Sequence, residues 1–98
     1  MTKKRAVKNH TMMDQYREAK EKHPDMILLF RIGDFYEAFD ADAEDVAKVL
    51  GLTLTSRGKG KELMLMCGFP HPQLETYLHK LLAAKRRVAI CDQVKEQP

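Results

Sequence analysis

Three short stretches of this chain carry residue types that chemistry uses: Gly58-Lys59-Gly60-Lys61, the acids Asp34, Glu37 and Asp40, and the run Phe35-Tyr36-Glu37. The first suggests a phosphate-binding loop, whose backbone N–H groups cradle an anion while a lysine reaches its outer oxygens. That loop needs a glycine five residues before the Gly-Lys pair and Ser or Thr after it. Position 55 is Thr and position 62 is Glu, so no nucleotide site is expected. The stretch reads as a mobile connection or as a contact to a phosphate backbone through Arg57, Lys59 and Lys61. The three acids would have to converge on one ion to serve a nuclease. Their place at a turn and a helix start already has a sufficient cause in capping and dipole compensation. Cys67 and Cys91 form no Cys-x-x-Cys pair, and His10, His23, His71 and His79 complete no metal spacing. Each cysteine lies in an apolar run and reads as a buried free thiol. Neither a metal nor a cofactor is expected within this chain.

What Phe35-Tyr36-Glu37 does depends on the local backbone, and Gly33-Asp34 leaves two possibilities. A helix opening at Asp34 would use Glu37 as the far member of a capping box. A hairpin would use Gly33 as the first residue of a type II′ turn, with Phe35 to Phe39 as the return strand. The aromatic residues favour the strand. So does a better helix start downstream, where Asp40, Asp42, Glu44 and Asp45 load a first turn with the sign its dipole prefers. We take the hairpin. On a strand, Phe35 and Glu37 share one face with Cα atoms ~6.6 Å apart, and Tyr36 faces the core. On a helix they would point about 200° apart. The residues alone leave a plain alternative open, in which Phe35 is core packing and Glu37 a helix cap.

The elements that must position this segment follow from periodicity. A helix is expected from Thr11 to His23, stopped by Pro24. Met26 to Phe30 is a continuous apolar run suited to a strand buried on both faces. After the hairpin, a helix from Asp40 to Leu50 should bury Ala43, Val46, Ala47 and Leu50, with Gly51 ending it. Leu52 to Thr55 alternates as a half-buried strand, Arg57 to Lys61 reads as a flexible basic loop, and Leu63 to Cys67 as an interior strand. Gly68 to Pro72 is expected to be a stiff turn, with Pro72 opening a helix through Lys85 that buries Leu74, Tyr77, Leu78, Leu81 and Leu82. Val88 to Cys91 is the last strand. This order predicts an α/β domain, a mixed β-sheet with a hairpin and about three flanking helices.

Composition sets the outer bounds. A chain of 98 residues has room for one domain and one modest core. No apolar run approaches the ~20 residues of a membrane helix. The basic start Met-Thr-Lys-Lys-Arg has no apolar stretch behind it, so the expectation is a cytoplasmic protein without a secretory signal. The formal charge of +3 is uneven: Lys3, Lys4, Arg5 and Lys8 lie in residues 1–9, which read as a basic flexible tail, and the remainder carries −1. Charge alone therefore does not mark a nucleic-acid binder.

A series of segments in order does point to a family. Thr11-Met12-Met13-Asp14-Gln15-Tyr16, Leu28 to Phe39, Leu54-Thr55-Ser56-Arg57-Gly58, Cys67-Gly68-Phe69-Pro70-His71, Tyr77-Leu78 and Val88 to Gln93 resemble the N-terminal mismatch-recognition domain (domain I) of the MutS family of DNA mismatch-repair proteins. The resemblance covers about residues 10–95 of a domain taken as residues 10–98, with Cys67-Gly68-Phe69-Pro70 where the family usually has Ala-Gly-Ile-Pro. It implies a DNA-binding module without enzymatic activity of its own, whose partners are double-stranded DNA carrying a mismatch or unpaired base and other mismatch-repair domains. It also implies roles. Phe35 would wedge beside a mispaired base from the minor groove, Glu37 would hydrogen-bond that base's edge, and Arg57, Lys59 and Lys61 are candidates for phosphate contacts. The alternative from another class is a protein-interaction module that keeps the fold and has lost duplex probing.

Overall fold

The computed structural model describes residues 11–92; the tail expected at residues 1–9 lies outside them. Helix α1 (Met12–Lys22) opens with a capping box: the Asp14 N–H donates to Thr11 Oγ1, and the Thr11 N–H donates back to Asp14 Oδ2. Strands β1 (Ile27–Ile32) and β2 (Phe35–Phe39) follow, then α2 (Asp40–Leu50), β3 (Thr55–Arg57), β4 (Met64–Pro70), α3 (Leu74–Ala83) and β5 (Val88–Asp92). They form one five-stranded sheet in the order β3-β4-β2-β1-β5, antiparallel except for the parallel β1–β5 pair. This is the mixed α/β domain expected from the sequence.

The apolar run of β1 lies at the centre because it serves two cores at once. Leu28 and Phe30 point to the face covered by α1, where they meet Tyr16 and Phe39. Ile27 and Leu29 point to the other face, with Tyr36, Ala38, Cys67, Phe69, Val46 and Leu81 beneath α2 and α3. Leu28, Leu29 and Phe30 are wholly buried, each contributing on the order of 1.5–3 kcal/mol by leaving water.

The acids of α2 do more than complement a dipole. Asp42 accepts from the Leu28 N–H (3.0 Å) and from Lys20 Nζ (2.9 Å), and Lys20 also donates to the Met26 carbonyl. One carboxylate thus ties the end of α1 to the start of β1. Asp45 takes Arg86 in a two-pronged pair (2.7 and 3.0 Å), and Asp40 accepts from the Leu65 N–H. No side-chain cap bonds the N-terminus of α2.

Several boundaries differ from those expected. The strand read at Leu52–Thr55 lies instead at Thr55–Arg57, because the Leu52 N–H is held by the Ala47 carbonyl as α2 ends and pairing with β4 begins only at Thr55. Leu63 is exposed and precedes β4, which continues through Gly68-Phe69-Pro70 where a turn was expected. Pairing explains the extension: β2 holds β4 in register from Phe39–Met66 to Phe35–Pro70. The basic loop is not slack. Gly58 sits at φ +90° against the Glu62 carbonyl, and Gly60–Glu62 form a 3₁₀ turn closed by bonds to Lys59 and Gly60. Helix α3 ends at Ala83, where the Arg86 N–H bonds the Leu81 carbonyl and the Lys85 N–H that of Leu82, with Lys85 in the left-handed region that glycine usually fills. Leu82 is exposed, and Cys91 is only half-buried; both cysteines are free.

Candidate functional site

The two-residue connection between β1 and β2 builds the site. Gly33 takes φ +58° while Asp34 stays at negative φ, which fits a type II′ turn and not type I′. Arg31 secures the turn, with Nε donating to the Gly33 carbonyl (2.6 Å) and the guanidinium over the Tyr36 ring. The His71 N–H donates to the Asp34 carbonyl (2.8 Å), so the tip is also tied to the end of β4.

Beyond the turn, β2 alternates as expected. Tyr36 turns into the α2/α3 core against Phe69, and Phe35 and Glu37 share the opposite face. That face is graded. Phe39 is enclosed under Tyr16, with ring centroids 4.7 Å apart; Glu37 is half-buried; Phe35 is 44% exposed. Phe35 lies between Ile32 of β1 and Pro70 of β4, while Glu37 lies between Phe30 and Gly68. Neither alternative reading of these residues survives: Phe35 is outside the core, and Glu37 sits in mid-strand and caps no helix.

Burial pushes the Glu37 carboxyl above its ordinary pKa, and the charge of Arg57 acts in the opposite sense. The Cys67 thiol is raised as well, by burial first and then by the charge of Glu37. Arg57 is a β3 residue paired with Met64, which places it on the Glu37 face. Lys59 and Lys61 are exposed in the connection that follows, at the far end of the sheet. The register partners of Phe35 and Arg57 on β4 are Pro70 and Met64, which at the strand rise puts the two ends ~20 Å apart. The structure therefore brings Phe35 and Glu37 together, and leaves Arg57, on their face but at the other end of the sheet, with Lys59 and Lys61. Asp34 in the turn and Asp40 at the start of α2 do not converge with Glu37; among the described residues no three His, Cys, Asp or Glu side chains are grouped as a metal would require.

Sequence reasoning missed Gly68, which lies in the strand directly opposite Glu37. The signal was a glycine inside an apolar run, which in a strand marks a bulge or a close approach; reading it as a turn residue hid it.

Comparison with known proteins agrees with this architecture. A family model described as MutS domain I matches residues 10–98, and the chain belongs to that family. A DNA mismatch repair protein MutS from Flavobacterium johnsoniae is 50% identical over 95 residues, covering 96% of this chain and 11% of that protein. The protein of the same name from Bacteroides fragilis is 54% identical over 86 residues, 87% of this chain and 10% of its own length. That from Christiangramia forsetii is 49% identical over 96 residues, 98% of this chain and 11% of its own. The chain thus spans about a tenth of the curated relatives it matches. Among the described residues, no helix is long and apolar enough to cross a membrane.

Proposed function

We propose that this domain senses mismatched or distorted base pairs in double-stranded DNA, with Phe35 as the wedge and Glu37 as the group that meets the base edge. The observation that carries the reading is an aromatic residue 44% exposed at the end of a strand paired on both sides, with a half-buried glutamate two residues behind it on the same face. A ring so placed sacrifices no core packing when it enters a base step. Opening a step costs a few kcal/mol of unstacking, and stacking on an aromatic ring returns ~1–3 kcal/mol. A mismatch has already lost part of its pairing and stacking. The wedge therefore selects weak steps by deformability and not by base sequence.

Glu37 needs a separate account, because phosphates repel a carboxylate. The minor groove of an A·T pair presents acceptors only. A carboxyl meeting one of them must carry a proton, and burial together with nearby phosphate charge favours the protonated form. A carboxyl whose pKa is already raised starts part of the way there. Arg57, on the same face but ~20 Å along the sheet from Phe35, is then a phosphate contact remote from the wedge. At that separation Arg57, with Lys59 and Lys61 in the connection beside it, would reach backbone about six base steps off at 3.4 Å per step. The reading requires no covalent step and no cofactor in this chain, and other repair domains would supply the rest of the grip.

The test is fluorescence anisotropy with a G·T duplex and its fully paired control across a salt series. The expected result is tighter binding to G·T, lost in Phe35→Ala. Equal binding of both duplexes by the unaltered chain would overturn the reading and leave the fold as a protein-interaction module.

A further inference from the structure

Gly68 is not required by the backbone. The glycines at positive φ are Gly33, Gly51, Gly58 and Gly60; Gly68 is in ordinary strand conformation, where glycine only weakens a sheet. What requires it is space. A Cβ built at position 68 would overlap Glu37 Oε1 and come within 2.7 Å of Glu37 Cδ and of the Tyr36 carbonyl oxygen. The Glu37 carboxyl therefore lies folded down over the bare backbone of β4, in a slot that any other residue would fill. Its neighbours along β4 on this face, Met66 opposite Phe39 and Pro70 opposite Phe35, both carry side chains.

We infer that Gly68 is a positioning residue for Glu37: the slot it leaves holds the carboxyl recessed behind the Phe35 ring and so sets the depth at which it can meet a base edge. This rests on the reading of Phe35 and Glu37 proposed above. The physical consequence is a fixed order of contact. A recessed carboxyl lets the ring enter the step first and keeps negative charge back from the phosphates, and it meets an acceptor only once the base has moved. Lifting the carboxyl by the height of one methyl group would bring the charge forward, into water and toward the backbone. Its burial would be relieved and its alignment lost.

NMR on the chain without DNA tests the slot itself. Contacts between the Gly68 α-protons and the Glu37 γ-methylene are expected in the unaltered protein, and their absence would overturn the inference. In Gly68→Ala the Glu37 carboxyl should titrate closer to its ordinary range; an unchanged titration in the folded variant would also overturn it. Competition binding then tests the consequence. Gly68→Ala should lower discrimination between G·T and paired duplexes by up to about tenfold, the value of one aligned hydrogen bond, and should add no further loss in a Glu37→Ala background. A further loss there would mean that the added methyl acts through the Tyr36 carbonyl and not through Glu37. Should Gly68→Ala not fold, Glu37→Asp makes the same test, since a carboxyl one methylene shorter cannot lie across the slot. Discrimination unchanged in Glu37→Asp would sink the inference. If the unaltered chain shows no mismatch preference, the functional reading fails by itself, while the NMR experiments still decide whether Gly68 positions Glu37.

Discussion

Phe39 and Phe35 occupy the same face of β2, yet one is enclosed and the other 44% exposed. Tyr16 of α1 stands edge-on to Phe39 at 4.7 Å, and Phe35 lies past the cover that this helix provides. The same residue type on the same strand therefore has two fates, set by how much of the face the helix covers. Substitution separates them. Phe35→Ala should leave the melting temperature nearly unchanged and abolish preference for a mismatch. Phe30→Ala, at a wholly buried position, should cost about 3–5 kcal/mol. Thermal melts with competition binding on both variants check this, and a large loss of stability in Phe35→Ala would count against the wedge.

Glu37 gives a pH dependence of known sign. Its folded-state pKa is raised above the ordinary 4.5 by burial, with Arg57 opposing. A carboxyl raised on folding supports the native state while protonated, and that support is lost as pH rises through the folded value. Glu37→Gln should therefore match the unaltered chain in acid and be level with it or more stable at neutral pH. Binding to paired DNA should stay level or rise while discrimination falls. Denaturant melts across pH, alongside the binding series, read both effects.

Asp42 joins two elements through one carboxylate. Asp42→Ala would strand the Leu28 N–H and leave the Lys20 ammonium with the Met26 carbonyl but without its counter-charge. The expected cost is about 1–3 kcal/mol. Lys20→Met should cost less, since Asp42 keeps its bond to the Leu28 N–H. Urea midpoints of the two variants give the comparison, and equal losses would contradict it.

Tyr16 should titrate late. Its phenol is raised from 10.0 to about 12, by burial first and then by the charges of Asp42 and Asp40. Because the unfolded phenol ionises first, stability should fall between pH 10 and about 12 as alkali draws the chain open. Ultraviolet titration of the chain and of Tyr16→Phe identifies the late tyrosine.

Binding strength should lie mostly in charge. An isolated domain of this kind is expected near the ~10⁻⁴–10⁻⁶ M of non-specific association at physiological salt. Deleting residues 1–9 removes Lys3, Lys4, Arg5 and Lys8. All duplexes should weaken alike, and the log–log salt slope should flatten by up to ~0.9 per lost phosphate contact. Nanomolar binding by the tail-less chain would show that the affinity lies elsewhere.

Much of this was legible in the chain itself, because its local signals agree with one another. The unbroken apolar run of β1 called for burial on both faces, and Gly33-Asp34 between two such runs called for a hairpin. Alternation along β2 then put Phe35 and Glu37 on one face and Tyr36 on the other. These are short-range rules of period and turn chemistry, and they need no knowledge of neighbours. The misreadings share the opposite cause. Gly68 and Pro70 look like turn residues until β2 pairs with them and keeps them extended. The Arg57–Lys61 stretch looks slack until Gly58 closes onto Glu62. Leu82 fits the helical period that buries Leu81 yet faces solvent, because which arc of α3 meets the sheet depends on the packing partner. The exposure of Phe35 and the slot beneath Glu37 belong to this second kind. One arises from how much of the face α1 covers and the other from a strand that arrives beside β2 only when the sheet assembles, so neither is written in the residues around them.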